Sequence, residues 1–189
     1  MQVDCGKPKR IVKEDTVLAV VDFQERMIPA MYGGAGAVNE GAKLVRGFLA
    51  IGCPVLVTQQ YTKGLGESVA EIKEAFPSFE HIEKSSFSVM GDESFREALE
   101  KTGKKSVALC GVEAHVCVLQ SALDLLEAGY DVFLATDAIS SRKERDERSA
   151  VMRMVQAGVT PATVESILFE LLDNDSKSDT FKAVSRIIK

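Results

Sequence analysis

The stretch KSVALCGVEAHVCVLQSALDLLEAGYDVFLAT, residues 105–136, decides the fold. KSVALCG (105–111) and YDVFLAT (130–136) are nearly continuous apolar runs rich in Val and Leu, the composition of strands buried on both faces of a parallel sheet. Between them, residues 115–128 repeat Val116, Leu119, Leu123 and Leu126 at helical spacing and stop at Gly129, where a left-handed terminus suits glycine. A strand, a helix and a second strand in this order predict a right-handed βαβ unit.

The same alternation extends outward in both directions. TVLAVVD (16–22) and PVLVTQ (54–59) read as further buried strands, HIEKSSF (81–87) as a weaker strand nearer an edge, and about 159–162 as a short edge strand because Pro161 cannot donate to a ladder. Helices are predicted over 38–51, 94–102, about 143–157, from the Thr163 cap through Leu172, and over 178–188. The expected fold class is therefore α/β: one doubly wound domain, a three-layer αβα sandwich with a mainly parallel sheet. MYGGAGA (31–37) and TKGLGES (62–68) read as loops near strand ends, where such sheets bind ligands. Residues 1–15 read as a polar arm and 16–189 as the domain.

Composition narrows the functional classes. With 189 residues, 46% of them hydrophobic, the chain buries a full core without staples. Its net charge of −5, with scattered Lys and Arg, does not resemble a nucleic-acid footprint. Residues 1–15 lack the apolar run of a signal peptide, and no later run approaches the roughly 20 residues of a membrane span, so a cytoplasmic protein with a small-molecule partner is expected. The four cysteines do not read as a disulfide framework, and two histidines distant in sequence, His81 and His115, with no CxxC pair, argue against zinc.

Individual residues leave alternatives open. Cys117 falls in the expected first turn of a helix after a strand, where unpaired N–H groups favour a thiolate; equally, cysteine is a common core filler. Cys110 and Cys53 suit the core, and Cys5 lies in the polar tail. Asp22 and Lys84 sit at strand ends, placed either to act on a ligand or to meet solvent. Phe23, Tyr61 and Phe87 could line a pocket or pack in the core, Gln24 and Gln60 could contact a substrate or water, and His115 reads at most as a pocket wall. His81 reads as structural.

The ordered set VVDFQ (20–24), EKSSFS (83–88) and CGVEAHVCVLQSALDLLEAGYDVFLATDAISS (110–141) resembles the isochorismatase-like cysteine hydrolases over about 16–172. The resemblance implies six strands in the order 3-2-1-4-5-6, with Asp22 as general base, Lys84 as the cation that lowers the thiol pKa, and Cys117 as the nucleophile that forms an acyl-enzyme. It implies a cis peptide at Val112–Glu113 and an oxyanion hole from the backbone N–H groups of Glu113 and Cys117; the Glu113 side chain itself reads as an ordinary exposed acid. It also implies no cofactor and a homo-oligomer.

TQQYTKGLGES (58–68) holds none of the histidine and aspartate ligands with which nicotinamidases bind a metal, so metal-independent hydrolysis of a small amide or related C–N bond is expected. The competing readings are a catalytically silent binding or scaffold protein and a thiol-redox protein, the latter lacking a resolving cysteine nearby in sequence.

Overall fold

The computed structural model describes residues 9–173 and 177–189; Cys5 and the first eight residues of the expected polar arm lie outside them. The strands are β1 (Thr16–Val21), β2 (Val55–Gln60), β3 (Ile82–Lys84), β4 (Ser106–Val112), β5 (Asp131–Ser140) and β6 (Thr160–Ala162). They form one sheet in the order β3-β2-β1-β4-β5-β6, every neighbouring pair parallel. The order reverses between β1 and β4, so their carboxyl ends flank the switch point.

Alternation along the buried strands divides the core into two layers. Leu18 and Val20 of β1 face the side covered by α1 (Gly34–Ile51), α7 (Val164–Leu172) and α8 (Asp179–Ile188), with Val45, Phe48 and Leu168 packed there. Val17, Ala19 and Val21 face the side covered by α4 (Glu93–Thr102), α5 (Leu119–Glu127) and α6 (Glu144–Ala157), with Phe95, Leu125 and Met154. Removing a side chain such as Leu125 or Leu168 down to alanine would cost about 2–5 kcal/mol. Residues 9–15 join this body: Ile11 is buried in the first layer, and Lys9 pairs with Asp131.

Several expected boundaries shift for local reasons. The helix expected from residue 38 begins at Gly34, so half of the expected 31–37 loop is helical; Gly33 caps it with φ +65°, and Gly34 packs where a Cβ would crowd the Ile28 carbonyl. The 62–68 segment opens with a short turn of helix, α2 (Thr62–Leu65), and a second short helix, α3 (Ala70–Lys73), follows. The strand expected over 81–87 keeps only three residues, because the chain then folds back so that the Ser86 and Phe87 carbonyls face Lys84.

Strand β5 runs beyond Thr136 to Ser140. Its pairing with β4 breaks between Leu109 and Gly111 and resumes at Ile139, and in the interruption Asp137 caps the amide of Val164. The irregularity delivers Ser140, Ser141 and Arg142 to the end of the sheet where the site lies.

Candidate active site

Asp22 leaves β1 with φ +53°, a left-handed conformation that aspartate tolerates better than most residues. Its side chain is wholly buried. Oδ1 accepts from Thr58 Oγ1 at 2.8 Å and Oδ2 accepts from Lys84 Nζ at 2.6 Å. Lys84 is also buried, and its ammonium donates to Gln60 Oε1 at 2.6 Å and to the Ser86 and Phe87 carbonyls, each at 3.1 Å. Three N–H groups facing four acceptors leave this lysine no donor to spare.

Cys117 approaches the same carboxylate from β4. The peptide Val112–Glu113 is cis, and residues Ala114–Val118 form a π turn rather than the first turn of α5. The expected helix-terminus setting of Cys117 is thus replaced by a wider turn that places the thiol, 4% exposed, at the floor of a cleft. Ser121 Oγ donates to the Cys117 carbonyl at 2.6 Å and accepts the Val89 amide at 2.9 Å, which ties the turn to the loop after Lys84. Gly111, φ +129°, lets β4 pass β1 here, since an added Cβ would overlap the Val21 carbonyl oxygen.

Electrostatics run against a resting thiolate. Burial pushes the Cys117 thiol up to about 12; the Asp22 charge pushes the same way, against the opposing pull of Lys84 and the Glu113 amide. Lys84 acts on the thiol in the expected direction, lowering its pKa, but desolvation and the carboxylate outweigh it. Burial also raises Asp22 above the usual carboxylate range, with Lys84, Thr58 and Cys117 holding it back.

The cleft above Cys117 measures about 340 Å³ and is lined by Gln60 and Phe87 together with Met27, Met31, Leu65, Val116 and the arginines Arg26 and Arg142. Four other expected pocket residues do not line it. Phe23 is buried against Gly41 and Ile72 in the core beneath α1. Gln24, fully buried, clamps backbone by donating to the carbonyls of Gln60 and Gly66 and accepting the Gln60 amide. Tyr61 is 57% exposed with its ring over Gly64. His115 pairs with Ser141 Oγ at 2.9 Å and faces a separate surface depression with Leu119, Asp146 and Arg153. The Glu113 side chain, expected to be exposed, is mostly buried and bound to Arg142.

Thr58, Ser121, Arg26 and Arg142 escaped the sequence reading. A hydroxyl closing the apolar strand VLVT was the available signal for Thr58, whose role depends on its register opposite Val21. Among the described residues no group of three or more His, Cys, Asp or Glu side chains is gathered to hold a metal, and no helix is long and apolar enough to cross a membrane.

An open parallel sheet with a carboxylate, a lysine and a thiol meeting at its switch point defines a doubly wound α/β protein whose reactive groups sit at strand ends. The chain belongs to the isochorismatase-like hydrolase family: the isochorismatase domain model matches residues 16–166. It is 38% identical over 184 residues to isochorismatase domain-containing protein 1 of Salmo salar, covering 95% of this chain and 62% of that protein. The chain thus spans less than two thirds of that relative's length.

Two solved structures are closely similar. The MAR1 ribonuclease of Caenorhabditis elegans superposes with a TM-score of 0.88 at 34% identity, over 95% of this chain and 92% of that one. YcaC of Escherichia coli, described as an octameric hydrolase of unknown specificity, gives 0.89 at 29% identity, over 97% and 91%.

Proposed function

We propose that the protein is a metal-independent cysteine hydrolase acting on a small amide or related C–N substrate through an acyl-enzyme on Cys117. The observation that carries this reading is the Asp22 carboxylate, pinned by Thr58 and Lys84 and close enough to the Cys117 thiol for its charge to act on the sulfur. A carboxylate held in place by one donor on each oxygen keeps further lone pairs with which to accept a proton.

In the first step the sulfur attacks the carbonyl carbon while its proton passes to Asp22, so no free thiolate accumulates. The tetrahedral oxyanion is held by the backbone N–H groups of Glu113 and Cys117. Collapse breaks the C–N bond, and Asp22 returns the proton to the leaving nitrogen, which departs as ammonia or an amine. Water then attacks the thioester with Asp22 again taking a proton; the carboxylic acid leaves and the thiol is reprotonated. Lys84 keeps Asp22 in place and balances its charge without touching substrate.

The absence of histidine and aspartate from residues 58–68 supports chemistry without a metal. The same reading assigns the protein to the cytoplasm, without a cofactor, as a homo-oligomer; the octameric relative from E. coli supports the last point. Hydrolysis of an amide, ureide and ester panel by wild type beside Cys117→Ala tests the proposal. Turnover by wild type alone supports it, and equal turnover by both proteins, or none by either, contradicts it. A silent scaffold would turn over nothing.

A further inference from the structure

Strand β1 stops before its neighbour does. Its pairing with β2 closes at Val21 and Thr58, and the Asp22 amide still donates to the Thr58 carbonyl at 3.2 Å, but the chain then turns away with φ +53° at Asp22. β2 runs on to Gln60, which stands in register with Lys84 of β3. Pro54 and Thr58 direct their carbonyls at β1, and by alternation so does Gln60, whereas the Tyr61 amide serves the Lys84 carbonyl. The departure of β1 thus leaves the N–H and C=O of Gln60 facing a gap in the ladder, where each needs a partner.

The wholly buried side chain of Gln24 fills that gap. Its Oε1 accepts the Gln60 amide at 2.8 Å and its Nε2 donates to the Gln60 carbonyl at 3.0 Å, the two bonds a continuing strand would have made. Nε2 also donates to the Gly66 carbonyl at 2.7 Å, so the acceptor and both donors of the amide are used. The main chain of Gln24 holds the other flank, its N–H donating to the Asp22 carbonyl at 2.8 Å. Beyond Gln60, that residue's Oε1 accepts from Lys84 Nζ at 2.6 Å. Gln24 therefore links Asp22 to Lys84 by a route separate from the ion pair itself.

Building on the hydrolase reading, we infer that Gln24 is a positioning residue for the reaction. Its amide replaces the missing continuation of β1, which frees the main chain to turn the Asp22 carboxylate into the site while Gln60 stays in register to hold Lys84. Gln24 does not line the cleft and acts only through Asp22 and Gln60.

Two measurements on the full-length protein test this, with Gln24→Met, which keeps the length of the side chain without its amide, and Gln24→Glu, which keeps the acceptor and loses both donors. Hydrogen exchange reads the clamp without turnover: the Gln60 amide is expected to be as protected in wild type as the Leu56 amide, and to exchange at least about tenfold faster in Gln24→Met while Leu56 keeps its protection. Kinetics on an amide substrate read the positioning: kcat is expected to fall at least about tenfold in both variants, with KM changed less than about threefold. A merely structural glutamine would lower stability and leave kcat per folded molecule unchanged. A rapidly exchanging Gln60 amide in wild type, a wild-type kcat in either folded variant, or failure of both variants to fold would overturn the inference. If wild type hydrolyses no amide while Gln60 exchanges as expected, the hydrolase reading fails and the clamp stands; hydrolysis that survives loss of the clamp sinks the positioning role alone.

Discussion

Lys84 Nζ lies 2.6 Å from Asp22 Oδ2, and both side chains are wholly withdrawn from solvent. Replacing Lys84 by methionine leaves a buried carboxylate without its counter-charge, and a loss of about 3–5 kcal/mol in unfolding free energy is expected. Adding Asp22→Asn should restore a large part of that loss. Urea denaturation of the two single variants and the double variant measures the coupling; a Lys84→Met loss of about 1 kcal/mol or less would show the pair behaving like a surface contact.

Cys117 is expected to be a thiol, not a thiolate, in the resting protein. Because its pKa is pushed up to about 12, the charged form is absent at neutral pH and grows with rising pH. Thiolate absorbance, taken as wild type minus Cys117→Ala, should be negligible at neutral and mildly alkaline pH. Asp22→Asn removes the neighbouring negative charge and should shift the titration to lower pH while hydrolysis is lost. A thiolate plateau at neutral pH would contradict the electrostatic account.

Gly111 is expected to tolerate no side chain. Its backbone occupies a region that favours glycine, and a methyl group there would meet the Val21 carbonyl immediately before Asp22. Gly111→Ala should lower stability and separate Asp22 from Cys117, so that any folded fraction loses hydrolytic activity. Melting temperature together with activity per folded molecule checks both parts; a fully active, equally stable variant would oppose this view of the β1–β4 contact.

Ser121 should act as a positioning residue. Ser121→Ala strands the buried Val89 amide and frees the Cys117 carbonyl, at a cost of about 1–3 kcal/mol. If the link aligns the nucleophile, kcat should fall more than KM changes, and Ser121→Thr should recover part of it. A variant that loses stability with unaltered kcat would reduce Ser121 to a purely structural bond.

Most of the fold was legible because it depends on patterns that local sequence carries. The apolar runs around Val20, Val57, Leu109 and Phe133 marked buried strands, the helix ends predicted at 51, 102 and about 157 are those the structure shows, and Gly129 follows α5 after one further residue. What depends on distant pairing was less visible. The run HIEKSSF looked longer as a strand than Lys84 allows, because its own ammonium draws the following carbonyls inward. The π turn at Ala114–Val118 has no periodic signature separate from a helix start.

The site was legible through Asp22, Lys84 and Cys117, whose order and flanking residues form a pattern, and much less so through the cleft walls. Phe23 follows Asp22 in sequence yet points into the core, since successive residues at a strand end diverge. Arg142 reaches the cleft only because β5 continues past its irregularity, a consequence of pairing with β4. Arg26 depends on the loop that Gln24 clamps from below.

Intact-mass spectrometry of the protein quenched during turnover of an amide tests the central claim most directly. The account predicts a transient mass increase equal to the acyl group minus the displaced hydrogen, located on the peptide that carries Cys117 and absent from Cys117→Ala. Amide hydrolysis by Cys117→Ala at the wild-type rate, with no acyl group on Cys117 in either protein, would contradict it.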